Sequence, residues 1–222
     1  GKEGRGIFFS RKSMGSSLLY RNIPLSTPIT KLNFTVFDTE TTGFQVVKDD
    51  RLIEIGAVHV KGFEVQEHRQ YQTYVNPNRH ISQEITQLTS ISDSKVKNAP
   101  QAIEAISGFF DFVDKNNSVC FVGHYVAFDL LVLKSELKRQ KVNFRNGYSI
   151  DTLDLIGYLA PSTDMRDLEK YARNFNTRIY SRHSAIGDAL TTAYLFVELL
   201  QQLNDSGKRT WGDICNISSL TF

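Results

Sequence analysis

Acidic side chains recur at three separated places in this chain, each where a strand ends or a helix begins. Asp38 and Glu40 lie two residues apart at the end of an apolar strand, so both side chains leave the same face of that strand. Two such acids repel each other and lose hydration, which destabilises the fold unless a cation neutralises them. An ordinary strand that ends in polar turn residues has the same composition, so the pair alone is not decisive.

Two further acids lie near predicted helix starts. Asp129 falls in the first turns of a helix that follows a strand at 118–122, a common place for ligand sites in α/β sheets. Asp188 opens the last long helix, and His183 precedes it in a polar loop that we expect to be exposed and mobile. Each feature also has an ordinary explanation. Both acids suit helix N-termini, and His124, just after the strand, could be a packed core histidine.

Together, the four carboxylates form a ligand set made only of oxygen, with no cysteine nearby in sequence. Such a set suits hard cations such as Mg²⁺ or Mn²⁺. Two such ions about 3.5–4 Å apart clamp the attacking and leaving oxygens of a phosphodiester displacement. A histidine, whose reference pKa is about 6.5, can take a proton from the attacking water near neutral pH. The combination indicates metal-dependent hydrolysis of phosphodiesters.

Hydrophobic periodicity predicts the elements that position these residues. Three strands come first and should form an antiparallel meander, at 34–37, 52–60 and 65–75. The period then changes to that of helices around the strand at 118–122, with helical segments from about 100 to 113, 128–137, 151–159, 165–175 and 188–203. Strands that alternate with helices after a meander indicate an α/β three-layer domain with a mixed sheet.

Composition sets only broad limits on the function. The net charge of +2 neither requires nor excludes a nucleic-acid partner. The two cysteines are too few for a disulfide framework, and no apolar run approaches the roughly 18 residues that span a membrane. We therefore expect a reducing, cytoplasmic location and no membrane partner. Two basic clusters are either solvated helix faces or phosphate-binding surfaces: Lys134, Lys138, Arg139, Lys141 and Arg145, and Arg166, Lys170, Arg173, Arg178 and Arg182.

Three segments, 34–43, 124–129 and 183–189, resemble the three Exo motifs of the DnaQ-like (DEDDh) exonuclease family, which includes RNase T-like and DNA polymerase III epsilon-like proofreading domains. The resemblance extends over about 34–203. It implies a ribonuclease H-like three-layer fold, with a mixed five-stranded sheet flanked by helices. It also implies a 3′→5′ exonuclease that hydrolyses terminal phosphodiesters of single-stranded DNA or RNA and releases nucleoside monophosphates.

The resemblance also implies a role for each motif residue. Asp38 would bridge two divalent metal ions, Mg²⁺ or Mn²⁺, with Glu40 and Asp188 on the first ion and Asp129 linked through water. His183 would be the general base, which completes the catalytic set. The expected substrate-binding residues are Thr41, Thr42, Gly43, Phe44, His124 and Phe128. Phe44 and Phe128 either stack on bases or belong to the core.

The extent of the resemblance sets the domain, and residues 1–32 before it are rich in Gly, Ser and Pro and show no sustained period. We expect an N-terminal arm at 1–32, the DnaQ-like exonuclease domain at 33–204 and a C-terminal tail at 205–222. Two residues depart from the family pattern, which usually has Asn in place of Tyr125 and commonly has Gly in place of Ser90. Both departures could alter the pocket for the terminal nucleotide.

The expected partner is nucleic acid with a 3′ end, either DNA or RNA. The sequence leaves a second function open, in which the chain is a polymerase- or nuclease-associated subunit that acts mainly by partner binding. The partner would be a polymerase or another replication or repair protein. The docking segments of the chain would then be 1–32 and 216–222. Retention of all five catalytic residues favours the enzyme.

Overall fold

Seven strands are present in a computed structural model, which describes residues 12–17, 22–161 and 167–218. They are β1 (Ser13–Met14), β2 (Asn33–Thr41), β3 (Leu52–Lys61), β4 (Glu64–Tyr74), β5 (Cys120–Gly123), β6 (Asn143–Phe144) and β7 (Ser149–Asp151). Five of them form the central sheet in the order β4-β3-β2-β5-β7, and β1 pairs separately with β6. The first three strands of this sheet are antiparallel, whereas β2, β5 and β7 run parallel. The predicted meander and mixed five-stranded sheet are confirmed.

Helices cover both faces of this sheet. They are α1 (Gln83–Thr89), α2 (Asp93–Val96), α3 (Ala102–Lys115), α4 (Val126–Arg139), α5 (Thr152–Leu159), α6 (Leu168–Asn174), α7 (Ala185–Asp205) and α8 (Trp211–Ile217). Alternation along β2 explains the two layers, because Phe34 and Val36 pack with α5, α6, α7 and α8, whereas Phe37 packs with α3 and α4. This arrangement confirms the predicted three-layer fold, in which helices flank the sheet on both faces.

Several element boundaries differ from the sequence prediction. The last long helix begins at Ala185 rather than Asp188, because the Ser184 side chain accepts a hydrogen bond from the backbone N–H of Gly187 and caps the helix. The helix predicted at 165–175 spans Leu168–Asn174, and position 165 lies outside the described residues. The short helices α1 and α2 were not predicted, since seven and four residues are too few to show a helical period.

Residues on both sides of 33–204 contribute to the core. Ile29 and Leu32 are buried in the layer that contains α7, and so are Trp211 and Ile214 of α8. The backbone N–H of Ile29 donates to the carbonyl of Arg209, which joins the two segments directly. The division into arm, domain and tail stays a prediction, but the parts of the arm and tail closest to the domain pack as parts of it.

Among the described residues, no helix combines the length and the apolar character needed to cross a bilayer.

Candidate active site

Three of the predicted metal ligands come together beside the sheet. Carboxylate oxygens of Asp38, Glu40 and Asp188 all lie within 4.8 Å of one another. The first two follow the period of β2 and extend toward the face covered by α7, whose first turn supplies the third. Segments that are far apart in the sequence thus form one acidic cluster, as the sequence predicts for Asp38, Glu40 and Asp188.

The position of α7 depends on two residues of β3. The buried carboxylate of Glu54 accepts a hydrogen bond from the backbone N–H of Ala185, at the first turn of the helix. Gly56 pairs with Asp38 across the strands, and a Cβ added there would lie 2.3 Å from the backbone nitrogen of Ile186. The absence of a side chain at Gly56 therefore lets the helix N-terminus approach the strand that carries the acids. Sequence reasoning missed both residues, because neither lies in a motif.

Ionising the three carboxylates of this cluster costs free energy when no cation is bound. Burial raises the pKa of Asp38 well above its usual range, and the neighbouring charges of Asp129, Asp188 and Glu40 raise it further. Burial and then the charge of Asp188 raise the pKa of Glu40 to about 9. The Oδ2 atom of Asp38 is buried and has no hydrogen-bond partner among the described residues. An oxygen atom that lacks a partner, in a group of three carboxylates, fits a hard divalent cation such as Mg²⁺ or Mn²⁺.

Asp129 approaches from the opposite layer of the fold. It lies in the first turn of α4, and its Oδ1 atom accepts hydrogen bonds from the Thr39 backbone N–H at 3.0 Å and the Thr39 hydroxyl at 2.5 Å. Burial raises the pKa of Asp129 to about 7, and the hydrogen bonds from Thr39 oppose that rise. Asp129 is not part of the group of three, although its charge raises the pKa of both Asp38 and Glu40.

The start of α4 is fixed by Asp151, to which the sequence assigned no role. Its Oδ1 accepts from the backbone N–H groups of Tyr125, at 3.2 Å, and Leu153, at 3.0 Å, and its Oδ2 accepts from that of Val126 at 3.1 Å. One carboxylate thus holds the first turns of α4 and α5 together. The Nδ1 atom of the nearby His124 lies 2.7 Å from the Thr152 hydroxyl. Asp151 could have been identified from sequence as the residue that precedes α5, a usual capping position.

His183 is half-buried and lies next to the acidic cluster. Its backbone has a positive φ of 60°, and its N–H donates to Oδ2 of Asp188 at 3.2 Å. The expectation that His183 is exposed was wrong. The backbone N–H of Tyr180 donates to the Thr191 hydroxyl at 2.9 Å, and the Tyr180 hydroxyl donates to Glu67 at 2.5 Å. Apolar spacing could not reveal these anchors, since they are polar and come from distant elements.

Arg182 is a further charged group at the site. Its Nη1 atom donates to Oδ1 of Asp188, and its Nε atom lies 3.9 Å from a carboxylate oxygen of Glu169. The guanidinium charge lowers the pKa of Asp38, Glu40 and Asp188, against the effect of burial. In the sequence, Arg182 was only one member of a basic cluster, and nothing distinguished it from its neighbours.

The predicted substrate-binding residues at the end of β2 differ in their surroundings: three of them form a turn and the fourth is exposed. The Thr41 hydroxyl donates to the Gly43 carbonyl at 2.7 Å, and the buried Thr42 donates to Asp50 at 2.8 Å. These contacts shape the turn, and a Cβ added at Gly43 would lie 2.4 Å from an Asp50 oxygen. Phe44 is 86% exposed, so it is a surface residue rather than a core one.

The ring of Phe44 lies 5.9 Å from that of Phe128, centroid to centroid, in an edge contact. Phe128 is half-buried and packs on the layer that contains α3 and α4. The turn after β2 therefore meets the first turn of α4 through this pair, beside the helix position that carries Asp129.

Both departures from the family pattern lie in left-handed backbone. Tyr125 has φ 58° and precedes α4, while Ser90 has φ 61° and ends α1. Asn and Gly, the residues that the family pattern usually has there, adopt this conformation more readily than Tyr or Ser. The two substitutions therefore strain the backbone.

Comparison with known proteins identifies similar sequences. A family model described as exonuclease, RNase_T, matches residues 35–196. The chain is 34% identical over 184 residues to the PolC-type DNA polymerase III of Caldanaerobacter subterraneus subsp. tengcongensis, covering 83% of this chain. It is 37% identical over 160 residues to that of Clostridium perfringens, covering 72% of this chain. It spans only 13% and 11% of the lengths of these two relatives.

Solved structures share the fold. The nuclease domain of 3′hExo, a DEDDh family member bound to rAMP, gives a TM-score of 0.67 at 16% identity, covering 77% of this chain and 92% of that one. Exonuclease X in complex with 5′ overhanging duplex DNA gives a TM-score of 0.61 at 22% identity, covering 84% of this chain and 98% of that one. These similarities extend over nearly all of each nuclease chain.

Proposed function

Since this chain belongs to the RNase_T exonuclease family, whose model matches residues 35–196, we propose that it removes nucleotides from the 3′ end of single-stranded DNA or RNA with two divalent metal ions. The observation that carries the proposal is the cluster of Asp38, Glu40 and Asp188, in which one buried oxygen of Asp38 has no partner among the described residues. A cluster with this charge and burial needs a cation, and the cation suits phosphodiester hydrolysis.

Asp38, Glu40 and Asp188 would hold the two metal ions, and Asp129 would complete the ligand set through water. Bound Mg²⁺ or Mn²⁺ would lower the pKa of the attacking water and offset the charge that develops on the phosphate. Thr39 keeps Asp129 oriented by two hydrogen bonds, and they favour its ionised form. Asp151 fixes the start of the helix from which Asp129 extends.

His183 would act as the general base. Its backbone N–H donates to Asp188, so the residue lies beside the carboxylates rather than out in solvent. The imidazole would accept a proton from the water that attacks the terminal phosphodiester, and a nucleoside monophosphate would leave. Glu67 and Thr191 hold the loop through Tyr180 and would restrict how far His183 can move.

The 3′-terminal nucleotide would bind between the turn after β2 and the start of α4. Phe44 is exposed and pairs with Phe128, so a base could stack on this edge. Stacking contributes roughly 1–3 kcal/mol per base and tolerates any base, which suits stepwise trimming. The Thr41–Gly43 contact shapes the backbone that would meet the 3′ hydroxyl. His124, which precedes α4 and contacts the Thr152 hydroxyl, would bind the nucleotide from the other strand end.

DNA and RNA both remain in the proposal, because the solved relatives include one bound to rAMP and one bound to duplex DNA. The PolC-type relatives support a replicative polymerase as a partner, since in them the matching region is part of a DNA polymerase III. A role limited to partner binding is less favoured, because Arg182 pairs with Asp188 but one buried oxygen of Asp38 has no hydrogen-bond partner among the residues that the structure describes, which is costly without a cation.

End-labelled substrates test this function. Linear DNA and RNA oligonucleotides of one sequence, labelled at either end, are incubated with the protein and Mg²⁺ or Mn²⁺, alongside circular single-stranded DNA. We expect 3′ label to appear as mononucleotide at once and 5′ label to shorten stepwise, with circles intact and EDTA blocking all cleavage. Release of the 5′ label first, nicking of circles or full activity in EDTA would contradict the proposal.

A further inference from the structure

The solvent-facing side of α4 carries lysines along its C-terminal half. The exposed positions of this helix are Ala127, Leu131, Lys134 and Lys138, and Lys141 follows in the turn, where its backbone N–H donates to the carbonyl of Lys138. The two acids of the helix are both buried, since Asp129 belongs to the active site and Glu136 pairs with Arg51. The lysine charges on this side are therefore not balanced by acids of the same helix.

The turn after β2 lies alongside this helix. Phe44 contacts Phe128 at the first turn of α4. Arg139, at the last turn, donates to the carbonyls of Val46 at 2.7 Å and Lys48 at 2.9 Å. Phe128 and Arg139 are separated by about 16 Å along the helix, at a rise of roughly 1.5 Å per residue. The turn and the helix thus form one surface that leads away from the acidic cluster.

Exposed apolar side chains also lie on this surface. The described residues include eight exposed large hydrophobic side chains, and three of them belong to this turn or to α4: Phe44, Val47 and Leu131. Lys48 and Asp49 in the turn are both exposed and offset each other, so the net positive charge of the surface comes from the helix. Phe44 lies at the end near the acids, whereas Val47 lies beside the last turn of α4, where Arg139 holds the residues on either side of it.

We propose that this surface, the α4 track, binds the single strand upstream of its 3′ end. The α4 track consists of Phe44, Val47, Leu131, Lys134, Lys138 and Lys141. The inference rests on the proposed function, since it takes the acidic cluster as the place where the 3′ end lies. Bases contact the apolar part nearest the cluster, and phosphates pair with the three lysines.

The dimensions of the surface agree with this occupant. A length of about 16 Å covers roughly five nucleotides at the stacked spacing of about 3.4 Å. A positive groove edge combined with aromatic side chains is how proteins bind single strands without reading sequence. A protein that binds this surface instead would need an acidic surface with apolar groups. Binding of such a protein is an outcome of the test below.

The test compares two triple variants that remove equal charge. The track variant carries Lys134→Gln, Lys138→Gln and Lys141→Gln. The control carries Lys31→Gln, Lys61→Gln and Lys115→Gln, exposed lysines at the other end of the sheet, where Lys61 pairs with Asn33 at the start of β2. Fluorescence anisotropy with labelled dT3 and dT12 in EDTA gives the dissociation constants from 50 to 200 mM salt, and melting curves check that both variants fold.

The track variant should bind dT12 about tenfold more weakly than wild type. Its log–log salt slope should fall by roughly 2, because each of the three phosphates that the lysines neutralise adds about 0.7 to the slope. The ratio of the dissociation constants for dT3 and dT12 should also become smaller in the track variant. The control variant should keep the wild-type salt slope.

Equal effects of the two triple variants, or wild-type binding of dT12 by the track variant, would overturn the proposal and leave a protein as the remaining occupant. Because the readout is binding in EDTA, failure of the nuclease function would appear separately, as wild-type protein that trims no 3′ end.

Discussion

Thr39 donates both its backbone N–H and its hydroxyl to Oδ1 of Asp129, at 3.0 and 2.5 Å. Thr39 lies between Asp38 and Glu40 but extends to the opposite face of β2, where it meets the helix α4. The strand therefore positions acids on both of its faces. Asp38 and Glu40 extend directly into the cluster, and Thr39 holds the acid that comes from the other layer.

Replacing Thr39 by Val keeps the volume and removes the hydroxyl bond. Since that bond lowers the pKa of Asp129, which already lies at about 7, the pKa should rise further and more Asp129 should be protonated at neutral pH. We expect kcat/KM at pH 7 to fall roughly tenfold, a loss of about 1.4 kcal/mol, and the acid side of the pH–rate profile to move to higher pH. Thr35→Val, in the same strand, is the matched control and should keep the wild-type profile. A profile for Thr39→Val that coincides with wild type would contradict the role of this bond.

The acidic cluster predicts how stability depends on pH. Burial raises the pKa of Glu40 from 4.5 to about 9, so between these values the folded protein holds a proton that the unfolded chain releases. The free energy of unfolding of metal-free protein should therefore fall as pH rises from about 4.5 to about 9. Urea unfolding in EDTA across this range measures the fall.

Adding Mg²⁺ or Mn²⁺ should reverse much of this loss at the alkaline end, because the cation binds the ionised cluster only in the folded state. A stability in EDTA that rises with pH over the same range would show that the acids are not destabilising. An equal response to metal at pH 5 and pH 8 would show that the cation does not bind at the ionised cluster.

His183→Ala tests the proposed base. A general base typically contributes 10²–10⁴-fold to the rate, so single-turnover cleavage should slow by about that factor. Metal affinity, measured by calorimetry, should change little, because His183 donates to Asp188 through its backbone. His80→Ala, an exposed histidine that pairs with Asp93, is the control. Equal single-turnover rates for His183→Ala and wild type would remove this residue from the mechanism.

Replacing Ser90 by Gly should stabilise the protein. It ends α1 with φ 61°, a conformation that costs a residue with a Cβ roughly 1 kcal/mol relative to Gly. Ser90→Gly should therefore raise the free energy of unfolding by about 1 kcal/mol. Ser94→Gly, inside the short helix α2, should lower it by roughly 0.5 kcal/mol, which separates the backbone effect from removal of a hydroxyl. Denaturant unfolding compares both with wild type, and a loss of stability in Ser90→Gly would contradict the strain.

Local hydrophobic patterns are the reason that the sequence predicts this fold and much of this site. Alternation along β2 and the helical period of α3, α4 and α7 are local patterns, and they place Asp38, Glu40, Asp129 and Asp188 at element ends without knowledge of tertiary contacts. The mixed sheet then follows from the order of strands and helices.

The remaining features depend on contacts between distant segments. Glu54 caps α7 from 131 positions away, and Gly56 matters only because the helix end packs on it. Asp151 holds the start of α4 across 25 residues, and Arg182 neutralises Asp188 from within a polar loop. None of these has a periodic signal. The anchoring of the His183 loop by Tyr180 escaped prediction for the same reason.

Asp38→Asn tests the central claim most directly, because the acidic cluster should affect stability and activity in opposite directions. The substitution removes a carboxylate that has one buried, unpartnered oxygen and a strongly raised pKa, so metal-free protein at pH 8 should become more stable than wild type. Cleavage of a 3′-labelled single strand with Mg²⁺ or Mn²⁺ should fall roughly 10³-fold, since metal ions contribute several kcal/mol to such reactions. Asp111→Asn, which removes an exposed acid on α3, should change neither property appreciably. If Asp38→Asn were less stable than wild type in EDTA, or cleaved within tenfold of its rate, the account of this cluster as a metal-binding active site would be contradicted.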